Sequence, residues 1–241
     1  MLKTVEANNH VKRIKEYYDN LLENLEDKAN ESERAYGGYV RAFKGELVEY
    51  MARELVTVAW VDVLGQDINR MRITKEKMPV YLTNKYGFLD KIQDEEVKKY
   101  LTDHQREQKY KFGTDAQVFI DNKLVLPIEC KAYTENAMIK RILFDADLMK
   151  EVAGCETYYL LQLESQLGGD YSELKYVTYG SPSTNALMSH VDINLEIITL
   201  LKGERKIEEP IHKPEYFKEL RIEQLEKAVM IFVNALMPYV R

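Results

Sequence analysis

Apolar residues recur at helical spacing over residues 8–30, at Val11, Ile14, Tyr17, Tyr18, Leu21, Leu22 and Leu25, with charge elsewhere. This predicts an amphipathic helix packed on one face. The run Asn30-Glu-Ser-Glu-Arg predicts a loop, made more flexible by Gly37-Gly38. A second helix is expected from about Phe43 into the 50s or early 60s, carrying Leu47, Tyr50, Met51, Leu55 and Val58 and ended by Gly65. Val56–Leu64 also reads as a strand. Residues 70–82 read as extended, with a turn at Lys75–Met78 and Pro79 at an edge. Residues 90–108 read as a polar helical connector.

Two β-rich runs follow, 115–120 and 124–131, joined by Asp121-Asn122-Lys123, which is a hairpin signature. Helix spacing returns over 136–152, then a continuous apolar run at Thr157–Leu163 predicts a strand. Gly168–Asp170 reads as a loop and Leu174–Tyr179 as a short strand. Ser181-Pro-Ser-Thr predicts an N-cap for a helix over Asn185–Leu201. A charged loop, Lys202–Pro214, leads to a final helix over Glu215–Val240. No repeat or linker divides the chain, so residues 1–241 are expected to form one domain with helical additions at both ends.

The net charge of −6 argues against a protein that merely coats nucleic acid, whose affinity rests on neutralising phosphate. Cys130 and Cys155, the only cysteines, have no zinc-type spacing. Together with the absence of a long apolar run or an apolar leader, they predict a cytoplasmic protein. The four histidines are scattered, and no nucleophile elbow, phosphate loop or zinc-deaminase signature occurs.

Chemistry concentrates at the hairpin. Glu-x-Lys by itself carries no weight, since Glu26/Lys28, Glu96/Lys98 and other pairs share the spacing. Glu129 and Lys131 differ because they end the apolar run Leu124-Val-Leu-Pro-Ile and project from one face of a strand. Buried charges of this kind must pair or bind a metal. Hairpin pairing would bring Asp115 beside them. Two acids and a lysine suit Mg²⁺-assisted phosphodiester hydrolysis, with Asp115, Glu129 and the Cys130 carbonyl as metal ligands and Lys131 orienting water or stabilising charge. The plainer reading is an exposed cross-strand salt bridge.

Gly113-Thr-Asp115 followed by Ile128-Glu129-Cys-Lys131 resembles the PD-(D/E)xK nuclease signature, with Thr114 in place of its proline. The run Glu129-Cys-Lys-Ala-Tyr-Thr-Glu-Asn-Ala-Met-Ile-Lys-Arg is similar to type II restriction endonucleases. The resemblance implies an α/β fold, a central mixed β-sheet flanked by α-helices, over roughly residues 43–180. It also implies Mg²⁺, double-stranded DNA as substrate, and a homodimer on a palindromic site, with the terminal helices as candidate interface. In that family a glutamate on the preceding helix also faces the metal; Glu49 fits this place, and reads equally as an exposed helix acid. Arg106, Lys109 and Lys111, with Tyr110 among them, suggest one wall of a DNA groove. Lys140 and Arg141 suit phosphate contact or a solvated helix face, and the polar stretch Gly168–Asn185 suits base reading. The competing functions are a structure-selective repair or recombination nuclease of the same fold and a non-catalytic DNA-binding module.

Overall fold

A computed structural model describes residues 4–25, 36–172, 181–209 and 213–241. The expected loop at Asn30–Arg34 and strand at Leu174–Tyr179 lie outside the described residues. Among the described residues seven strands form two sheets. The main sheet has the order β1 (Met71–Thr74), β4 (Ala116–Ile120), β5 (Lys123–Glu135), β6 (Thr157–Gln166), β7 (Asn194–Thr199). Its first two pairings are antiparallel and its last two parallel, so the sheet is mixed. β2 (Met78–Tyr81) and β3 (Lys109–Phe112) form a separate antiparallel ribbon.

Helices cover both faces of the main sheet. On one, α1 (Val5–Glu23), α2 (Tyr36–Thr57) and the C-terminal α6 (Ile222–Leu236) pack their apolar residues on Val118, Leu126, Ile128, Cys130 and Leu161. Trp60 is fully buried here, its indole N–H donating to the Asp67 carbonyl at 3.0 Å. On the other face α4 (Asn136–Ala153) buries Ile139, Ile142, Leu143, Ala146 and Met149 against Tyr158, Leu160 and Ile197. Each such side chain, fully buried, contributes roughly 1.5–3 kcal/mol.

α2 begins earlier than expected, with Gly37-Gly38 inside it, and Val56–Leu64 is helical rather than extended. Val58–Val63 forms wider turns, with the Leu64 N–H reaching the Ala59 carbonyl at 3.1 Å. The polar connector contains a short helix, α3 (Glu95–Asp103), whose first amides are accepted by the Asp94 side chain. His10 is structural, lying 2.8 Å from Asp62 and 2.7 Å from Glu54.

The hairpin is tighter than expected. Ile120 pairs with Lys123, leaving a two-residue turn in which both Asp121 (φ 48°) and Asn122 (φ 66°) are left-handed. Asp and Asn tolerate that region, and such a turn matches the twist of the paired strands. The helix expected over Asn185–Leu201 is a correction: α5 (Pro182–Met188) is short, and β7 follows it. Ser181 caps α5 as expected. Ile197, Ile198 and Thr199 are β-branched and pair in parallel with Leu160, Leu161 and Gln162. The last helix also starts later, because Leu220 is held in a bridge with Leu201 and the chain stays extended to Arg221.

Candidate active site

β5 is 13 residues long and carries the candidate residues at its middle. Glu129 and Lys131 face α4, while Cys130 between them points into the core against α2. Asp115 stands just before β4. Since Ala116 pairs with Ile128, the register sets Asp115 beside Glu129, and its Oδ2 accepts the Cys130 N–H at 2.9 Å. The hairpin thus brings together the three residues the sequence singles out.

Lys131 Nζ is the centre of the cluster. It donates to the Glu129 carboxylate in a short hydrogen bond, to the Cys130 carbonyl at 3.0 Å and to Asp115 Oδ2 at 3.4 Å. Glu129 is 5% exposed, and burial pushes its carboxyl above the ordinary value, the Asp115 charge adding to the effect and Lys131 opposing it. Burial alone would lower the Lys131 pKa, but the two carboxylates hold it above its ordinary value. Lys131 is therefore a charged ammonium at neutral pH.

The two acids of the cluster line a cleft of about 460 Å³ together with Tyr110, Phe112, Gly113, Arg141, Phe144 and Asp145. Arg141 is a residue whose position the sequence left open. Its guanidinium reaches Glu129 Oε1 at 3.2 Å and Asp145 Oδ2 at 3.7 Å, so it turns inward from α4. Sequence reasoning did not single out Asp145, Phe144 or Tyr158. The i,i+4 spacing of Arg141 and Asp145 was the available signal for the first. Tyr158 lies buried near the acids, and burial followed by the charges of Glu129, Asp145 and Asp115 pushes its hydroxyl pKa up. Its hydroxyl has no hydrogen-bond partner among the described residues.

The remaining candidates separate. Glu49 is ion-paired with Lys75; burial pushes the Cys130 thiol up, and Glu49 lies close enough for its charge to add to that of Asp115 in the same direction. It does not complete an acidic cluster: among the described residues no three His, Cys, Asp or Glu side chains are grouped to hold a metal. Lys140 lies apart from the acids, in a groove with Asn136, Ser183 and His190. Lys109 and Lys111 are exposed on β3, four and two residues before Gly113, and Arg106 is exposed beside Tyr81.

The donor set suits a hard divalent cation. Asp115 Oδ2, Glu129 Oε1 and the Cys130 carbonyl already converge on one positive centre, Lys131 Nζ. Mg²⁺ commonly takes one or two carboxylates and fills its octahedron with water and phosphate, so a third acid is not required.

No family model matches the chain. It is 45% identical over 217 residues to the type II restriction enzyme DdeI of Desulfomicrobium norvegicum, covering 88% of this chain and 90% of the relative. The chain belongs to the type II restriction enzymes. Membership carries with it site-specific deoxyribonuclease activity and dependence on a divalent metal. A solved structure described as the native BbvCI A2B2 tetramer is 13% identical with a TM-score of 0.40, covering 99% of this chain and 98% of that one. No helix among the described residues is long and apolar enough to cross a membrane.

Proposed function

We propose that this restriction enzyme hydrolyses phosphodiester bonds of double-stranded DNA in the cleft lined by Asp115 and Glu129, with Lys131 hydrogen-bonded to both and Mg²⁺ as its metal. The observation that carries the reading is the convergence of two carboxylates and a backbone carbonyl on the Lys131 ammonium. Asp115, Glu129 and the Cys130 carbonyl would hold the cation. When bound, the cation supplies Lewis-acid charge at the scissile phosphate and makes a nearby water more acidic.

The protein's own groups do the rest. Lys131, held protonated by its carboxylate neighbours, donates to the attacking water or to the phosphate oxygen that gains charge. Arg141 keeps Glu129 oriented and offers its outer N–H groups to an adjacent phosphate, itself steered by Asp145. Glu49 acts at longer range on the same charge balance, and Arg106, Lys109 and Lys111 contact the duplex. Lys140 would touch DNA only outside the cleft.

We infer a single working domain spanning residues 1–241, acting as a homodimer, since a two-fold protein matches a two-fold DNA site. The apolar stripes of α1 and α6 are spent on the chain's own core, which leaves the interface to other surfaces. Two free cysteines suit the reducing cytoplasm, where cellular duplex DNA is found. The test is digestion of a long, defined duplex with Mg²⁺ and with EDTA. Discrete fragments only with Mg²⁺ are expected. Cleavage confined to branched DNA would favour a repair nuclease, and binding without cleavage a non-catalytic module.

A further inference from the structure

The β2–β3 ribbon stands apart from the main sheet and has two unlike faces. Met78, Val80 and Phe112 pack inward against the α4-side core, with Leu124 and Tyr158 in the same cluster. Pro79 pairs with Lys111, and Tyr81 with Lys109, so these four alternate onto the opposite face, and all four are exposed. The pairing extends one step further, where the Leu82 N–H donates to the Gln108 carbonyl at 2.9 Å. Arg106 and Gln105 continue the surface, forming a shallow cleft with Tyr81 and Leu82.

The charge of this face is uncompensated. Nearby cations are paired, Arg72 with Glu76 and Lys75 with Glu49. Among the described residues no carboxylate lies within ion-pairing distance of Arg106, Lys109 or Lys111. Glu107 is the single acid of the segment 105–111, in a chain of net charge −6. The ribbon is also rigidly joined to the acids. From Lys111 the chain runs through Phe112 and Gly113 to Asp115, and a Cβ on Gly113 would meet the Glu76 carbonyl at 2.8 Å. The Gln117 side chain donates to that same carbonyl, tying β4 to the turn before β2.

A two-stranded ribbon is one of the two backbone shapes that the major groove of B-DNA admits. We propose that the outer face of β2–β3 enters the major groove and reads base edges, with Lys109, Lys111 and Arg106 directed at purine acceptors and Tyr81 packed beside them. This rests on the duplex-cleavage reading above and adds which element reads sequence. Lysine and arginine favour the O6 and N7 acceptors of guanine. Exposed cations at a wall would otherwise serve only phosphate, which carries no sequence information.

The experiment first maps the wild-type cleavage site on defined duplex DNA. Absence of cleavage there sinks the enzyme reading itself, before the ribbon is tested. Duplexes carrying 7-deazaguanine or 7-deazaadenine singly at each purine of the site then remove N7 and leave pairing and the minor groove intact. For the wild type, at least one position should lower kcat/KM about tenfold or more. For at least one of the variants Lys109→Gln/Lys111→Gln and Arg106→Gln, each checked for an unchanged melt, the penalty at that position should vanish, because the contact is already gone. A penalty retained in full by every ribbon variant overturns the proposal. So does a uniform loss across sequences with the salt dependence reduced by about one ion per lysine, the mark of phosphate contacts only.

Discussion

Replacing Lys131 by methionine keeps an unbranched stem and removes the ammonium on which Asp115, Glu129 and the Cys130 carbonyl converge. Glu129, only 5% exposed, is then left with Arg141 at 3.2 Å, a side chain 67% exposed and correspondingly screened. Removing one partner of a buried ion pair costs about 3–5 kcal/mol, and the surviving arginine places this case near about 3 kcal/mol. For a chain of this length that is a fall in Tm of about 6–12 °C. The loss has a pH signature. The Glu129 carboxyl is already raised by burial, and without Lys131 it rises further. A carboxyl raised in the fold costs nothing below its unfolded value and destabilises as pH climbs through its folded value. The deficit should therefore be full near neutral pH and shrink towards about pH 4.5. Melts of both proteins in EDTA at these two pH values measure it. Magnesium should then raise the Tm of the variant more than that of the wild type, since no ammonium competes for the same oxygens. An equal deficit at both pH values would reduce Lys131 to packing, and an equal magnesium gain would remove the metal from this cluster.

Three further outcomes follow from the geometry. Asp115→Asn retains an acceptor for the Cys130 N–H but loses charge, so it should fold normally while duplex cleavage drops by about 10³-fold or more, roughly 4 kcal/mol of barrier; single-turnover kinetics beside a melt checks both. Lys44 is 1% exposed, and burial, with Arg205 and Lys218 adding, lowers its pKa to about 8 against the attraction of Glu164. Between its folded and unfolded values the unfolded chain holds more protons, so wild-type stability should gain on the order of 3 kcal/mol as pH rises from 8 towards 10.5, a gain that denaturant melts should find missing in Lys44→Met. Gly113→Ala forces backbone apart at the Glu76 carbonyl and should cost about 1–3 kcal/mol with a matching loss of cleavage; a variant as stable and active as the wild type would make that close approach dispensable.

The hairpin was legible because its turn residues and apolar runs are local signals, and register then brings Asp115 to Glu129 without knowledge of any other element. β7 was not. Glu196 and Thr199 interrupt the apolar run expected of a strand covered on both faces, and Leu195, Ile198 and Leu201 happen to share a helical spacing. The inward turn of Arg141 depends on where α4 crosses β5, which no spacing along the chain specifies. The same holds for Glu49, whose ion pair with Lys75 joins segments 26 residues apart. β3 was visible only as a basic approach to Asp115, because its partner strand lies across a long insertion that includes α3.

Where the core of β5 ends up has a consequence for synthesis. A nascent chain that has emerged through Asp145 already contains every residue lining the acidic cleft. It still lacks β6, which pairs with β5 on the edge away from β4, β7 beyond it, and α6, whose Leu225, Val229 and Phe232 complete the packing behind Cys130. The strand that carries Glu129 and Lys131 is then paired along one edge only, by β4, and its Cys130 face lacks the cover of α6. A half-made molecule thus holds the acids on a hairpin whose second edge and inner face still stand open to solvent.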